Sequence, residues 1–160
     1  GGTGALPEIY RCRKLLDYYL EPIAVKYDLS LRDVRLMLCL RNTSALCSKR
    51  DLADRLGETP QGISHRLQKL AAKGYLETEE AKPGRRRGES RKTKRIKIAF
   101  LPESEPVLAE LRQAEAEDAE LRFLGFTEYE REIYQELTEK MNHNMRRILS
   151  NYGSIVSPGI

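Results

Sequence analysis

The spacing of apolar residues along the chain predicts a mainly helical protein. Before residue 30 they recur at steps of three, four and seven, which describes one face of a first helix, with Pro22 expected to kink or interrupt it. Ser30 and Ser48 each have an aspartate three residues on, as in a capping box, and are predicted to begin the second and third helices. Thr59, followed by Pro60, is predicted to begin a fourth helix.

The second half of the chain predicts a β-hairpin followed by two more helices. Two strands are expected at residues 75–79 and 95–101, and the second alternates polar and apolar residues as a half-buried strand does. A further, very short strand is expected at residues 45–47. Helical spacing resumes after the hairpin, and Thr127 begins the final helix with a full capping box. The predicted fold class is therefore mainly α, with a small β-hairpin.

Two of the predicted helices are close enough in sequence to form a helix-turn-helix. Residues 49–56 and 60–73 are separated by three residues that include Gly57, and a tight glycine-containing turn between two helices is typical of this motif. The positions where two such helices cross must be apolar, and here they are Leu52, Ala53, Leu56, Ile63, Leu67 and Leu70. The same pattern is also compatible with a plain α-hairpin in a helical bundle.

Positive charge is concentrated in the predicted hairpin. Residues 82–97 contain nine basic residues and a single acid, Glu89, whereas the whole chain has a net charge of only +4. A local basic block on an otherwise acidic body indicates contact with a polyanion. The alternatives are a solvated loop and a nuclear-localisation-like or heparin-binding patch. The position of the block, at a hairpin tip beside a helix-turn-helix, favours a wing that reaches phosphates or the minor groove.

Nearly the whole chain, residues 6–152, resembles the MarR family of bacterial winged-helix regulators. The resemblance is carried by SKRDLADRLGETPQGISHRLQKLAAKGYLE, which is similar to the two DNA-binding helices of the family and the start of its wing. The wing of the family usually has an Asp-x-Arg or Asp-Arg-Arg element before its last strand. Here that zone reads RRRGESRKTKRIKIAFLP, without the aspartate, so a wing without its stiffening salt bridge is expected.

The resemblance implies that the chain binds double-stranded DNA. The residues expected to read bases in the major groove, opposite the apolar face of the second helix of the motif, are Gln61, Ser64, His65 and Gln68. The expected phosphate contacts are Thr59, Arg66, Ser48, Lys49 and Lys69. The expected wing contacts are Arg85, Arg86, Arg87, Arg91, Lys94 and Arg95, with Arg86 and Arg87 in the minor groove.

The apolar faces of the terminal helices are longer than a small central domain can cover, which predicts an intertwined homodimer. We expect residues 5–29 and 103–152 to form a helical dimerisation region, residues 30–101 the winged helix-turn-helix, and residues 153–160 a loose tail. A dimer places two recognition helices about one DNA turn apart, so a transcriptional regulator on a pseudo-palindromic operator follows, with repression as the expected effect. A monomeric helical domain with its own core is the alternative.

The resemblance also implies control by a small phenolic or lipophilic effector, bound between the dimerisation and DNA-binding regions. The candidate contacts are Tyr18, Tyr19, Arg35 and Met37. Tyrosine and methionine at helical spacing are also ordinary core residues, which is the competing interpretation. A second alternative is a redox sensor built on Cys12, whose basic sequence neighbours favour the thiolate. An unreactive Cys12 is the simpler interpretation.

No pattern in the sequence indicates an enzyme or a metalloprotein. The three cysteines are widely spaced, so neither a disulfide framework nor a metal clamp is expected, and a reducing cytoplasm is the predicted location. The two histidines, His65 and His143, fall on different predicted helices, and no cofactor is expected. Neither a signal peptide nor a membrane-spanning segment is predicted. A winged-helix module that binds proteins instead of DNA is the remaining alternative, although the basic wing favours DNA.

Overall fold

The helices and strands follow one another in the predicted order. The computed structural model describes residues 5–41, 46–81 and 94–155. The elements in these ranges are α1 (Ala5–Lys26), α2 (Leu31–Arg41), β1 (Leu46–Ser48), α3 (Lys49–Leu56), α4 (Pro60–Ala72), β2 (Leu76–Glu80), β3 (Arg95–Phe100), a 3-10 turn (Pro102–Ser104), α5 (Glu105–Arg122) and α6 (Glu128–Ile155). The predicted fold class, mainly helical with a small wing, is confirmed.

Side-chain caps begin several of these helices where the sequence predicts them. At α2, the Asp33 amide donates to Ser30 Oγ at 3.1 Å and the Ser30 amide donates to Asp33 Oδ2 at 2.8 Å. At α6, Thr127 and Glu130 exchange the same two hydrogen bonds at 3.1 and 3.0 Å. Each pair satisfies amides that the first turn of a helix leaves without a partner. The predicted capping boxes of α2 and α6 are confirmed.

Of the predicted kink or interruption at Pro22, the interruption is absent, because α1 continues through this residue as one helix. Proline removes one helical hydrogen bond, at a cost of about 3 kcal/mol or more in a helix interior. Pro22 lies on the exposed side of α1, where water can reach the freed carbonyl. The neighbouring Leu20, Ile23 and Ala24 are all buried. Burial of this face keeps the helix continuous despite the proline.

The three strands form one antiparallel sheet in the order β1-β3-β2. The central strand β3 pairs with β1 through Cys47↔Ile96 and with β2 through Thr78↔Ile98. Ile96 and Ile98 are buried, while the residues between and beside them are more exposed, as the predicted alternation requires. Strand β1 joins the base of the hairpin to the start of α3, so the hairpin and the helix-turn-helix share one framework.

The chain divides into two compact units, one ending at Asp118 and the other beginning at Ala119. The core of the first unit joins buried residues of α1 and α5 to those of the helices and strands between them. Its side chains with almost no exposed surface include Leu20, Leu36, Met37, Leu52, Ile63, Leu70, Leu76, Val107 and Leu111. The expected assignment of residues 5–29 and 103–152 to a helical dimerisation region stays a prediction.

Within the first unit, the end of α1 is joined to α5 by a polar cluster. The Tyr27 hydroxyl donates to Glu110, and Lys26 Nζ lies 3.1 Å from Glu110 Oε2. The hydrogen bond from Tyr27 is the main cause that holds the pKa of Glu110 below its ordinary value. These contacts span more than 80 positions of sequence, and the apolar pattern gives no sign of them.

The second unit consists of the end of α5 and the whole of α6. Phe123 makes edge-to-face contacts with Phe126 and Tyr134, with ring centroids 5.3 and 5.4 Å apart. Helix α6 runs to Ile155, so residues 153–155, expected in the loose tail, are helical. Residues 156–160 of that tail lie outside the described residues. The large apolar side chains of α6 that remain exposed in the single chain include Tyr129, Leu137, Met141, Met145, Ile148 and Leu149.

Candidate nucleic-acid interface

Helices α3 and α4 are joined by a three-residue turn that reverses the chain tightly. Gly57 ends α3 in the left-handed backbone conformation, with φ at 65°. Residues other than glycine adopt this conformation only at a cost in free energy. The Glu58 amide then donates to the Ala53 carbonyl at 2.9 Å. Thr59 begins α4, and its hydroxyl accepts from the Gly62 amide at 3.1 Å. The geometry is that of a helix-turn-helix, as the sequence predicts.

The apolar face of α4 packs into the core, and a polar face is left on the opposite side. Ile63, Leu67 and Leu70 are buried. The residues expected to read bases lie away from them: Gln61, His65 and Gln68 are exposed, and Ser64 is half-buried. These four side chains offer hydrogen-bond donors and acceptors, which are the groups that base edges in the major groove recognise.

Arg66 and Lys69, expected to contact phosphates, lie beside acids within the protein. Lys69 Nζ lies 2.5 Å from Asp33 Oδ2, and a terminal guanidinium nitrogen of Arg66 lies 3.2 Å from Asp33 Oδ1. Arg66 Nε also donates to Glu58 Oε1 at 2.8 Å. The side-chain exposures are 0% for Asp33, 8% for Glu58, 17% for Arg66 and 39% for Lys69. We call these four residues the ion cluster.

Asp33 is the centre of this cluster and stays ionised although it is buried. Burial alone raises the pKa of Asp33, but hydrogen bonds from Lys69 and Ser30 outweigh it and hold that pKa below its ordinary value of 3.8. One carboxylate therefore caps α2 and binds two cations of α4. The sequence indicates the cap, but the partners lie 33 and 36 positions away, and only the fold brings them together.

The remaining expected phosphate contacts differ in accessibility. Ser48 is buried, and its hydroxyl accepts from the Asp51 amide at 3.0 Å as the cap of α3. Lys49 is half-buried at the first position of α3, and Thr59 is exposed at the start of α4. Ser48 therefore has a structural role as a cap, while Lys49 and Thr59 have surface available for a ligand.

The wing is described only at its base. Lys94 is exposed just before β3, and Arg95 is half-buried at the start of that strand, where its carbonyl accepts from the Ala81 amide at 3.0 Å. The other expected wing contacts, Arg85, Arg86, Arg87 and Arg91, lie outside the described residues.

The residues expected at an effector site lie in different surroundings. Tyr18 is exposed and meets the half-buried Tyr19 edge-to-face, with ring centroids 5.6 Å apart. Arg35 Nε donates to Asp17 Oδ1 at 3.2 Å, which joins α2 to α1. Met37 is fully buried in the core and has no surface for a ligand in this conformation. Cys12, the redox candidate, is exposed on α1.

Two features are absent from the described residues, 5–41, 46–81 and 94–155. These residues contain no group of three or more His, Cys, Asp or Glu side chains that could hold a metal ion. None of their helices combines the length and the apolar character needed to cross a membrane.

Comparison with known proteins shows which proteins this architecture is similar to. The MarR family model matches residues 27–87, while no curated protein matches significantly. A MarR-family transcriptional regulator from Silicibacter pomeroyi is similar with a TM-score of 0.67, at 18% identity over 85% of this chain and 86% of its own. A MarR protein from Peptoclostridium difficile gives 0.70, at 16% identity over 94% of each chain. NadR in complex with 4-hydroxyphenylacetate gives 0.65, at 15% identity over 88% of this chain and 93% of its own.

The identities to these structures are low and demonstrate the common fold. The family model adds a sequence match over the segment that contains α2, the helix-turn-helix and the first wing strand. The chain therefore has the winged helix-turn-helix fold of these solved structures, and its residues 27–87 are similar to the MarR family.

Proposed function

We propose that the chain is a sequence-specific regulator that binds double-stranded DNA as a homodimer, on a pseudo-palindromic operator, and represses transcription. The observation that carries the proposal is the exposed polar face of α4 at the second position of a helix-turn-helix. A recognition helix needs hydrogen-bond donors and acceptors on its exposed face and an apolar face held against its own domain. Helix α4 has both.

The proposed division of DNA contacts follows from the chemistry of each side chain. Glutamine binds adenine with two hydrogen bonds, and serine and histidine can donate to bases or phosphates. The proposed base-reading residues are Gln61, Ser64, His65 and Gln68. The proposed phosphate contacts on the helix-turn-helix are Lys49 and Thr59. The proposed wing contacts, which supply most of the positive charge, are Arg85, Arg86, Arg87, Arg91, Lys94 and Arg95.

The proposed homodimer is supported by apolar residues that the single chain leaves in contact with water. On α6, Leu137 is 57% and Ile148 is 63% exposed, and on α1 Ile9 is 60% exposed. Contiguous exposed apolar surface on long helices is typical of protein interfaces. A second copy of the same chain covers such surface with two-fold symmetry.

An effector that releases the DNA is a further part of the proposal. NadR, which shares the fold, has been solved with 4-hydroxyphenylacetate, a small phenolic acid of the kind expected. An effector causes release only if it binds the DNA-incompetent conformation better than the competent one. Tyr18, Tyr19 and Arg35 are the proposed contacts.

Selection from a random-sequence duplex pool at two salt concentrations tests the main proposal. An enriched inverted repeat, bound by a chain that sediments as a dimer, is the expected result. Salt-sensitive binding without enrichment would indicate a non-specific DNA binder. Absence of binding at low salt would contradict the proposal and favour a winged helix that binds proteins.

A redox sensor is the second candidate, and the exposure of Cys12 on α1 is the observation in its favour. Mass spectrometry after mild peroxide treatment distinguishes the two forms of control. If Cys12 stays unmodified and DNA binding is unchanged, regulation through this cysteine is excluded.

A further inference from the structure

We propose that Asp33 and Glu58 withhold Arg66 and Lys69 from the DNA phosphates, so that α4 enters the major groove with an uncharged reading face. This inference rests on the proposed function and adds to it a positioning and specificity-determining role for Asp33. Because of the ion cluster, α4 contacts bases, while other parts of the protein provide the sequence-independent attraction to DNA phosphates.

The distances show that both carboxylate oxygens of Asp33 are occupied. Oδ2 accepts from Lys69 and from the Ser30 amide, and Oδ1 accepts from Arg66. Hydrogen bonds between charged groups are roughly twice as strong as those between neutral groups. If Lys69 or Arg66 turned to a phosphate, the buried carboxylate of Asp33 would lose a partner, which is unfavourable. The cations are therefore held in place.

The third cation at this helix is also bound within the protein. Lys73, which follows α4 as its C-cap, donates from Nζ to the Tyr27 carbonyl at 3.3 Å. Residues 60–73 are all described, and each lysine and arginine among them has an acceptor inside the first unit. The basic charge of the recognition helix is thus directed toward α2, the turn and the end of α1.

This arrangement affects specificity because phosphate contacts are independent of sequence. Each phosphate contact adds affinity for every duplex, whereas base contacts add affinity only for the operator. With Arg66 and Lys69 held within the protein, α4 increases the difference in affinity between operator and random DNA. It does not raise the affinity for both kinds of DNA alike. Asp33 also joins α2 to α4, so the same contact fixes the orientation of the reading face.

The salt dependence of operator binding tests the proposal. Each cation that contacts a phosphate contributes about 0.9 to the slope of log affinity against log salt. Lys69→Met is expected to leave the slope unchanged. Lys49→Met, the same change at a proposed phosphate contact on α3, is the matched comparison and is expected to lower the slope by about 0.9. A fall of that size in Lys69→Met would overturn the inference.

Asp33→Asn tests the same idea in the opposite direction. Release of Lys69, while Glu58 still holds Arg66, is expected to raise the slope by about 0.9 and to narrow the ratio of operator to random-duplex affinity. A folded Asp33→Asn protein with the wild-type slope and ratio would overturn the inference. If this variant does not fold, as circular dichroism would show, the Lys69→Met result decides.

Failure of the proposed function has a different signature. A wild-type chain that binds no duplex at low salt removes the proposed function, and the inference with it. If the wild-type chain selects an operator and the salt slope of Lys69→Met falls by about 0.9, this inference alone is removed.

Discussion

Replacement of the buried Asp33 by asparagine is expected to destabilise the first unit strongly. The asparagine keeps the shape of the side chain but loses its charge and one of its two acceptor oxygens. In the structure the carboxylate accepts from Ser30, Arg66 and Lys69. Removal of one partner from a buried ion pair costs about 3–5 kcal/mol of unfolding free energy. Because Lys69 is 39% exposed and can turn to water, the lower end, about 3 kcal/mol, is expected.

Chemical denaturation followed by circular dichroism measures this loss, at one fixed protein concentration since the chain is a proposed dimer. Asp51→Asn is the matched control. Asp51 occupies the equivalent third position of α3, where its amide donates to Ser48 Oγ, but it is exposed. Its replacement is expected to cost about 0.5 kcal/mol through the helix dipole. If the two variants differ by less than about 1 kcal/mol, the central role of the buried carboxylate is refuted.

Three other perturbations have expected outcomes. Folding lowers the pKa of Asp33, so the stabilisation from its carboxylate is present above the ordinary pKa of 3.8 and is lost as the pH falls further. The difference in unfolding free energy between wild type and Asp33→Asn should therefore shrink below about pH 4. A difference that stays constant with pH would be inconsistent with the ionised pair. Gly57→Ala is expected to cost about 1 kcal/mol on thermal unfolding because of the positive φ, with Gly57→Asn milder; stabilisation by alanine would contradict the left-handed turn. Leu137→Glu is expected to yield monomers in analytical ultracentrifugation, and an unchanged dimer would exclude this face of α6 from the interface.

Local features of the structure could be predicted from the sequence because they depend on neighbouring residues. The capping pair of Ser30 and Asp33, the glycine turn after α3 and the buried face of α4 each involve residues within a few positions of one another. Helix capping, glycine turns and the helical period depend on residues within such short spans, so they can be recognised in the sequence. The helix-turn-helix was recognisable for this reason.

Contacts between distant residues could not be predicted in the same way. The sequence around Asp33 identifies it as a capping residue but does not indicate its ion pairs with Arg66 and Lys69. The sequence predicts both cations as phosphate contacts, and only the fold shows a buried acid beside them. Met37 was a candidate effector contact, but the packing of the first unit buries it completely. Which polar group faces inward depends on tertiary structure, which the helical period alone does not specify.

The order of the strands also bears on how the protein behaves at high concentration. Strand β2 lies at one edge of the sheet and has Glu77, Glu79 and Glu80 among its exposed residues, while β1 at the other edge is only three residues long. Exposed edges invite pairing with strands of other molecules, and charge or shortness prevents it. Like charges on two approaching β2 strands repel each other, so aggregation through the sheet is disfavoured. The longer edge of the sheet is therefore protected by its charge and the other edge by its shortness.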